Sequence, residues 1–440
     1  MNPTQRRRSR SRYVFRLVAI LVMMASATQL VIGMVVLWGG GAPGIFGGDF
    51  IAYYSAARQV WQEGWSRLYQ VAVQEQFQQT LLPGSGLRLD ILRLVPFNYP
   101  PPAVLLFLPF ALLPARIAVL LWVVGNVVFA LASVSLTMRA SSPLAAHRWR
   151  PVLLALVFLP IDWGIVLGQP TGALLMFSTL GCLALARGDD RAAGCWLALV
   201  AAFKPQLVIA PALALLFAHR TRAATSLLTT GIGLGAFSLL SVGVGGIADY
   251  RHLLGQMDAF RGSSQFAVTL GGMVNVRSSL AQWTDIPDDV GIALSLIGGA
   301  TTVLWAAWHW APRLNHSATF GHAYTAISAA GILGSYHSHY HDLVVLVAPA
   351  LIWSERLWSL WFTIGDTVTD ASPADVAPTL DGGGWRSAAT ALAILLLVGF
   401  PGLAWCAIGI IAWSPGNAWP TMAVPGLALL ALVPPVRLLH

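Results

Sequence analysis

Long apolar runs recur from one end of the chain to the other. They fall at 14–38, 116–138, 151–167, 170–186, 192–203, 205–218, 224–246, 290–311, 318–334, 343–357, 387–411 and 421–437. A helix crosses the hydrocarbon core of a bilayer in ~20 residues, and the longer runs meet that length. A further apolar piece, 101–114, is short and bounded by prolines, and reads as a short span or a re-entrant segment. The strict alternation of an outer-membrane barrel strand, over segments of ~10 residues, is not the pattern here. The pattern predicts an all-α polytopic membrane protein of about twelve transmembrane helices, a single integral membrane domain over 1–440.

The polar stretches divide these runs. Residues 39–100 read as a first outer loop, 247–289 as a second, and 365–386, with Asp366, Asp370, Asp375 and Asp381, as a mobile loop. Within the first, Phe50, Tyr53, Tyr54, Ala57, Val60 and Trp61 recur at helical spacing, with Arg58, Gln59 and Glu63 on the other side. That predicts an amphipathic helix over 49–80, lying on the membrane surface. Residues 1–13 form a basic tail placed in the cytoplasm. The apolar run behind it is too long for a signal-peptide core and reads as an uncleaved first span.

Short basic loops set the expected topology. Arg139, Arg148 and Arg150, then Arg187 and Arg191, Arg220 and Arg222, and Arg313 mark four of them. Placing all four in the cytoplasm makes 151–186 and 192–218 hairpins. Their outer turns are then Gly168-Gln169-Pro170 and Lys204-Pro205, and Ser335–Asp342 is a third outer segment. No internal repeat is evident, which counts against an inverted-repeat transporter.

Composition sharpens the class. The 440 residues are 56% hydrophobic and only 10% charged, with a mean hydropathy of +0.68. A soluble domain carries roughly 25% charged residues, so a soluble globular enzyme is excluded. The net charge is +8, but it sits in short loops and the tail, so it reads as topology and not as a nucleic-acid surface. Cys182, Cys195 and Cys406 lie in apolar runs without a CxxC, which indicates neither a disulfide framework nor a zinc site.

Ionisable residues against the bilayer need a reason, because each costs ~2.5–3.5 kcal/mol on insertion scales. Asp49, after Gly47-Gly48, is either an N-cap or a general base at the membrane boundary. Lys204 is the one lysine among 26 basic residues, and Pro205 breaks the helix beside it. It either snorkels or serves as a compact charge for a phosphate oxygen. The segment Ser335-Tyr336-His337-Ser338-His339-Tyr340-His341-Asp342 concentrates polar groups between spans. It fits a metal site, a polar turn, or a contact to a lipid-linked phosphate or sugar, the last favoured because His and Tyr donate to anionic oxygens. No P-loop, dinucleotide fingerprint, GxSxG elbow or HExxH motif occurs, so a soluble nucleotide donor is not expected.

The ordered set resembles glycosyltransferase family 87, the polyprenol-phosphate-mannose-dependent mannosyltransferases of the GT-C superfamily. It runs Gly47-Gly48-Asp49-Phe50, Tyr53-Tyr54, Tyr99-Pro100-Pro101-Pro102, Trp122 with Asn126, Gly168-Gln169, Arg187-Gly188, Lys204-Pro205 and His339-Tyr340-His341-Asp342. Thr171 departs from the pattern, where the family often has Asn. The resemblance implies a GT-C-type bundle in a bacterial inner membrane, with amphipathic helices in an outer loop and an extracytoplasmic site. It implies an inverting transfer, with a polyprenyl-phosphate-sugar donor, mannose by family, and a glycolipid acceptor such as a phosphatidylinositol mannoside.

In that setting Asp49 would act as base, with His339 and His341 as catalytic candidates. Lys204, Arg58 and Arg277 are the candidates for the donor phosphate. Tyr53, Tyr54, Asn98, Tyr99, Gln169, Tyr336 and Asp342 are the candidates for holding donor or acceptor. No metal ligand set and no essential divalent cofactor are expected, and no nucleic-acid partner. A lipid-linked glycan flippase, a lipid-pyrophosphate-glycan ligase and a metal-dependent membrane hydrolase are the rival classes.

Overall fold

The computed structural model describes residues 48–81, 94–141, 158–257, 261, 266 and 270–353. The basic tail, the run 14–38, the segment 365–386 and the runs 387–411 and 421–437 lie outside the described residues. Within them the chain is helical. Three helices are long and apolar enough to cross a membrane: Ala115–Ala140, Thr221–Met257 and Asp288–Asn315. Thr171–Arg187, Pro205–Phe217 and Tyr340–Trp353 are apolar but shorter.

The amphipathic stretch is two helices, not one. Helix α1 (Phe50–Glu63) ends at Gly64, whose φ of 82° a side chain would strain. Helix α2 (Val71–Leu81) follows. Nor does α1 lie exposed on a surface: Phe50 through Ala57 are all buried, and so is Gln59. Its Phe50 and Tyr53 stack on Trp122 and Phe107, with ring centroids 6.1 and 4.6 Å apart. Its first residues, Phe50–Tyr54, are apolar in every direction, so neighbouring helices cover that end. Gln74 and Gln78 of α2 bond the backbone of Val95 and Phe97 and fix the chain leading to Tyr99.

Pro100 is extended, and Pro101–Ala103 then closes into a 3-10 turn feeding α3 (Val104–Ala111). The Pro101–Ala111 unit rises about 16 Å, half a hydrocarbon core, so it is re-entrant in length. Helix α4 (Ala115–Ser141) follows.

Helices α5 (Leu159–Leu167) and α6 (Thr171–Arg187) join through Gly168, in the left-handed region at φ 80°. Helices α7 (Asp190–Phe203) and α8 (Ile209–Phe217) meet at Lys204-Pro205. They do not pack along one another: α7 lies against α6 and the long α9 (Thr221–Met257), whereas α8 lies against two later helices, α11 (Asp288–Trp310) and α12 (Phe320–Gly334). The expected hairpin is therefore an open V with Lys204 at its apex. Arg220 bonds Asp190 and the Leu185 carbonyl, so both arms return to one end. Asn315 joins that end through the Ala218 carbonyl at 3.0 Å.

Helix α9 runs past 247, so the segment 247–289 opens on helical chain. It continues to Met257 through a kink at Gly243, φ 70° and ψ 178°. Helix α10 (Val276–Trp283) is capped by Asn275 and packs on α11.

Glycines let α11 and α12 touch backbone to backbone. A Cβ on Gly299 would sit 2.5 Å from the Gly334 carbonyl, and one on Gly334 2.6 Å from the Gly299 carbonyl. Such close approach is how membrane helices gain packing without hydrophobic drive. Gly334→Leu is expected to lower stability by about 3 kcal/mol, the upper end of the usual overpacking cost. Thermal unfolding in detergent measures this; an unchanged midpoint would refute the tight crossing.

Candidate active site

Most of the residues singled out in the sequence gather at the end of α6 opposite Arg187. That helix has 17 residues, so it separates this end from the Arg220–Asp190 end by about 25 Å. The basic loops at 187–191, 218–222 and 313 share the far end, and Asp49, Gln169, Lys204 and the histidine segment share the near one.

Gly168 ends α5 and turns the chain sharply. The indole of Trp122 donates to its carbonyl at 2.8 Å, and Gly172 N–H donates to Asn126 Oδ1 at 2.7 Å. Helix α4 thus clamps both sides of Gln169. From this platform Gln169 Nε2 donates to Asp49 Oδ2 at 2.6 Å. Its Oε1 lies 2.7 Å from the Tyr53 hydroxyl and 2.9 Å from that of Tyr99. Asp49 N–H donates to the Leu167 carbonyl at 2.9 Å. Asp49 does not cap α1: it has helical φ/ψ and no side-chain capping bond. Its carboxylate turns across to α5–α6 instead.

The second half of the site is built around the apex of the V. Lys204 leaves the helix at φ −139°, ψ 80°, ahead of a proline that cannot continue it. Its side chain runs inward, not out to water, and Lys204 is only 6% exposed. Lys204 Nζ donates to Asp342 Oδ1 at 2.5 Å and lies 3.1 Å from His341 Nε2. Asp342 is fully buried, and its Oδ2 accepts from His339 N–H at 2.9 Å. His339 is extended, at φ −101° and ψ 166°, with Val274 N–H bonded to the Ser338 carbonyl and an isolated bridge between Met273 and His339. That local backbone brings the side chains of His337 and His339 to the same side. His337 and His339 meet Nε2 to Nε2 at 3.1 Å, and the rings of His339 and His341 stack at 5.5 Å.

Not every candidate joins this cluster. Arg277 is buried, bonds the Tyr336 carbonyl at 3.4 Å and lies 4.1 Å over the Tyr336 ring, so it braces the histidine segment from outside. Arg58 donates to the Ala111 carbonyl at 2.8 Å and Tyr54 to that of Leu113 at 2.7 Å. Both are engaged at the α3–α4 corner, because they lie one helical step round from Tyr53. Asn98 enters through its carbonyl, which accepts from Tyr250. Gln206 was not foreseen: its amide donates to the His337 carbonyl at 2.9 Å. The signal was there, an amide two places from Lys204 in an apolar run.

The two halves feel one another. Burial pushes the Asp49 carboxyl above its ordinary value, while the Gln169 bond and the Lys204 charge pull it partly back. Burial, with Lys204 and Arg277 nearby, pushes His337 down to about 4. His339 is likewise held well below the ordinary range. These imidazoles are neutral near pH 7 and can donate one N–H each. A carboxylate that can take a proton thus lies within electrostatic reach of a cation and neutral donors that can hold an anion.

The model of glycosyltransferase family 87 matches residues 97–335, more than half of the chain. That span contains Tyr99, Gln169 and Lys204; Asp49 lies well before it, and His337, His339 and His341 follow directly after it. Neither a curated protein nor a solved structure matches the chain. On the matched span and its long apolar helices, the chain belongs to glycosyltransferase family 87 and is a membrane glycosyltransferase.

Proposed function

We propose that this enzyme moves mannose from a polyprenyl-monophosphate donor to a membrane glycolipid acceptor of the phosphatidylinositol mannoside kind, with inversion. The reading is carried by one observation, the Asp49 carboxylate lying within electrostatic reach of Lys204, which is itself buried against His341 and Asp342. The acceptor oxygen attacks the anomeric carbon and passes its proton to Asp49. The bond from that carbon to the phosphate oxygen breaks, and the polyprenyl phosphate leaves with one more negative charge. Lys204 and the His339–His341 edges stabilise that charge. Tyr53, Tyr99 and Gln169 line the acceptor side, and Tyr336 and Asp342 support the donor side. The site opens extracytoplasmically at a bacterial inner membrane, with the arginine-bearing loops in the cytoplasm. A monophosphate leaving group needs less neutralisation than a pyrophosphate, so no divalent cation is required.

The test is transfer in nanodiscs from radiolabelled polyprenyl-phosphate-mannose to native lipid extract, with EDTA present. Labelled glycolipid is the expected product. No transfer from this donor overturns the mannose reading, and transfer abolished by EDTA overturns the metal-free one. The pH profile supplies a second check. The base must be ionised, so kcat falls as pH drops through the raised Asp49 value. The acid limb is expected above the ~3.9 of a free aspartate, and a limb at or below that value would contradict the assignment.

A further inference from the structure

Gln169 sits between the carboxylate of Asp49 and the hydroxyls of Tyr53 and Tyr99, and touches all three. Its amide has one donor end and one acceptor end, and the neighbours decide which faces where. Tyr53 and Tyr99 lie 2.9 Å apart, and their mutual bond uses one hydroxyl proton, which leaves the other for Oε1. The reversed amide would set Oε1 against the Asp49 carboxylate. Nε2 is therefore committed to Asp49.

The residue carrying the amide is itself immobile. Gln169 N–H donates to the Gly164 carbonyl at 2.9 Å, Pro170 follows, and Trp122 holds Gly168. Asp49 is fixed at its other end by the bond from its own N–H to Leu167. Of its two carboxylate oxygens, Oδ2 is taken by Gln169, and Oδ1 accepts no bond from the described residues. Among the described residues the carboxylate thus has one oxygen to offer.

We propose that Gln169 is a positioning residue, whose amide fixes the Asp49 carboxylate so that Oδ1 alone is presented to the acceptor hydroxyl. The proposal rests on the reading of Asp49 as the base. Tyr53 and Tyr99 act one step further back, by setting the amide. A misplacement of about 1 Å at a reacting group costs on the order of 10²-fold in rate, which is the scale of effect expected here.

Two variants and two readouts test it. The first readout needs no substrate: infrared difference titration of the protonated Asp49 carboxyl in nanodiscs, with Asp49→Asn identifying the band. Gln169→Leu removes a hydrogen bond to the ionised form, so the Asp49 midpoint is expected to rise by about one pH unit. Gln169→Glu keeps the size and the tyrosine contacts but sets a second carboxylate beside Asp49. The midpoint should rise further. The second readout is transfer kinetics, where kcat should fall on the order of 10²-fold in Gln169→Leu with donor KM little changed.

An unmoved midpoint in both variants overturns the proposal, whatever happens to activity. A loss of activity with an unmoved midpoint and a lowered thermal transition would make Gln169 a residue of the turn and nothing more. If Asp49→Asn abolishes transfer while the Gln169 midpoints stay put, the base assignment stands and the positioning role falls. If Asp49→Asn transfers normally, the base assignment falls, and with it the role given to Gln169.

Discussion

Asp49→Asn is expected to lower kcat by about 10²–10⁴-fold, the range a positioned general base contributes. The substitution is close to isosteric. An asparagine carbonyl can still accept from Gln169 Nε2, and the Asp49 N–H bond to Leu167 is untouched. Folding and donor binding should therefore survive, so the loss falls on kcat and not on donor KM. Radiolabelled transfer in nanodiscs, beside a thermal unfolding curve, separates these outcomes. Near-wild-type transfer would leave the aspartate with a structural task at the α5–α6 turn and move the base to His339 or His341.

Lys204→Met carries the second large effect. The lysine is paired at 2.5 Å with an aspartate that has no solvent contact. Removing the cation strands a buried carboxylate without its counter-ion, and breaking such a pair costs about 3–5 kcal/mol. Asp342 also holds His339 N–H, so the histidine segment should loosen with it. The double variant Lys204→Met with Asp342→Asn removes both charges together, and most of the lost stability should return. Transfer should not return, because the cation for the leaving phosphate is gone. Scanning calorimetry and transfer on the two variants decide the matter. Recovery of transfer in the double variant would make Lys204 a counter-ion to Asp342 with no part in the chemistry.

Much of the fold was legible along the chain. The breaks between helices at Gly168, Gly188 and Lys204-Pro205 lie between the apolar runs, where a positive φ or a proline forbids continuation. The stretch 49–80 departs from its spacing: it breaks at Gly64 into two helices, and the first of them is covered. Its spacing showed one apolar face, but the stretch from Phe50 to Ala57 is buried all round, and only its neighbours reveal that. The same applies to Arg58 and Tyr54: helical spacing put them near Tyr53, and the direction of α1 against α3 and α4 turned them to other carbonyls.

Composition and apolar run length alone determined that this protein lives in a membrane, because 10% charged residues cannot cover a water-facing surface. The cost of ionisable groups near lipid likewise picked out Asp49, Lys204 and the histidine segment from the chain alone. Which of them meet was decided by tertiary structure. Asp49 and Gln169 are 120 positions apart, and Lys204 and Asp342 are 138 apart. No local pattern encodes such a contact. It arises because α6 and α7 pack side by side, α8 splays away to α11 and α12, and the segment between α12 and Tyr340 is drawn over the open V. Packing therefore turned Asp49 from a helix cap into a held carboxylate, and Lys204 from a snorkelling lysine into the buried partner of Asp342.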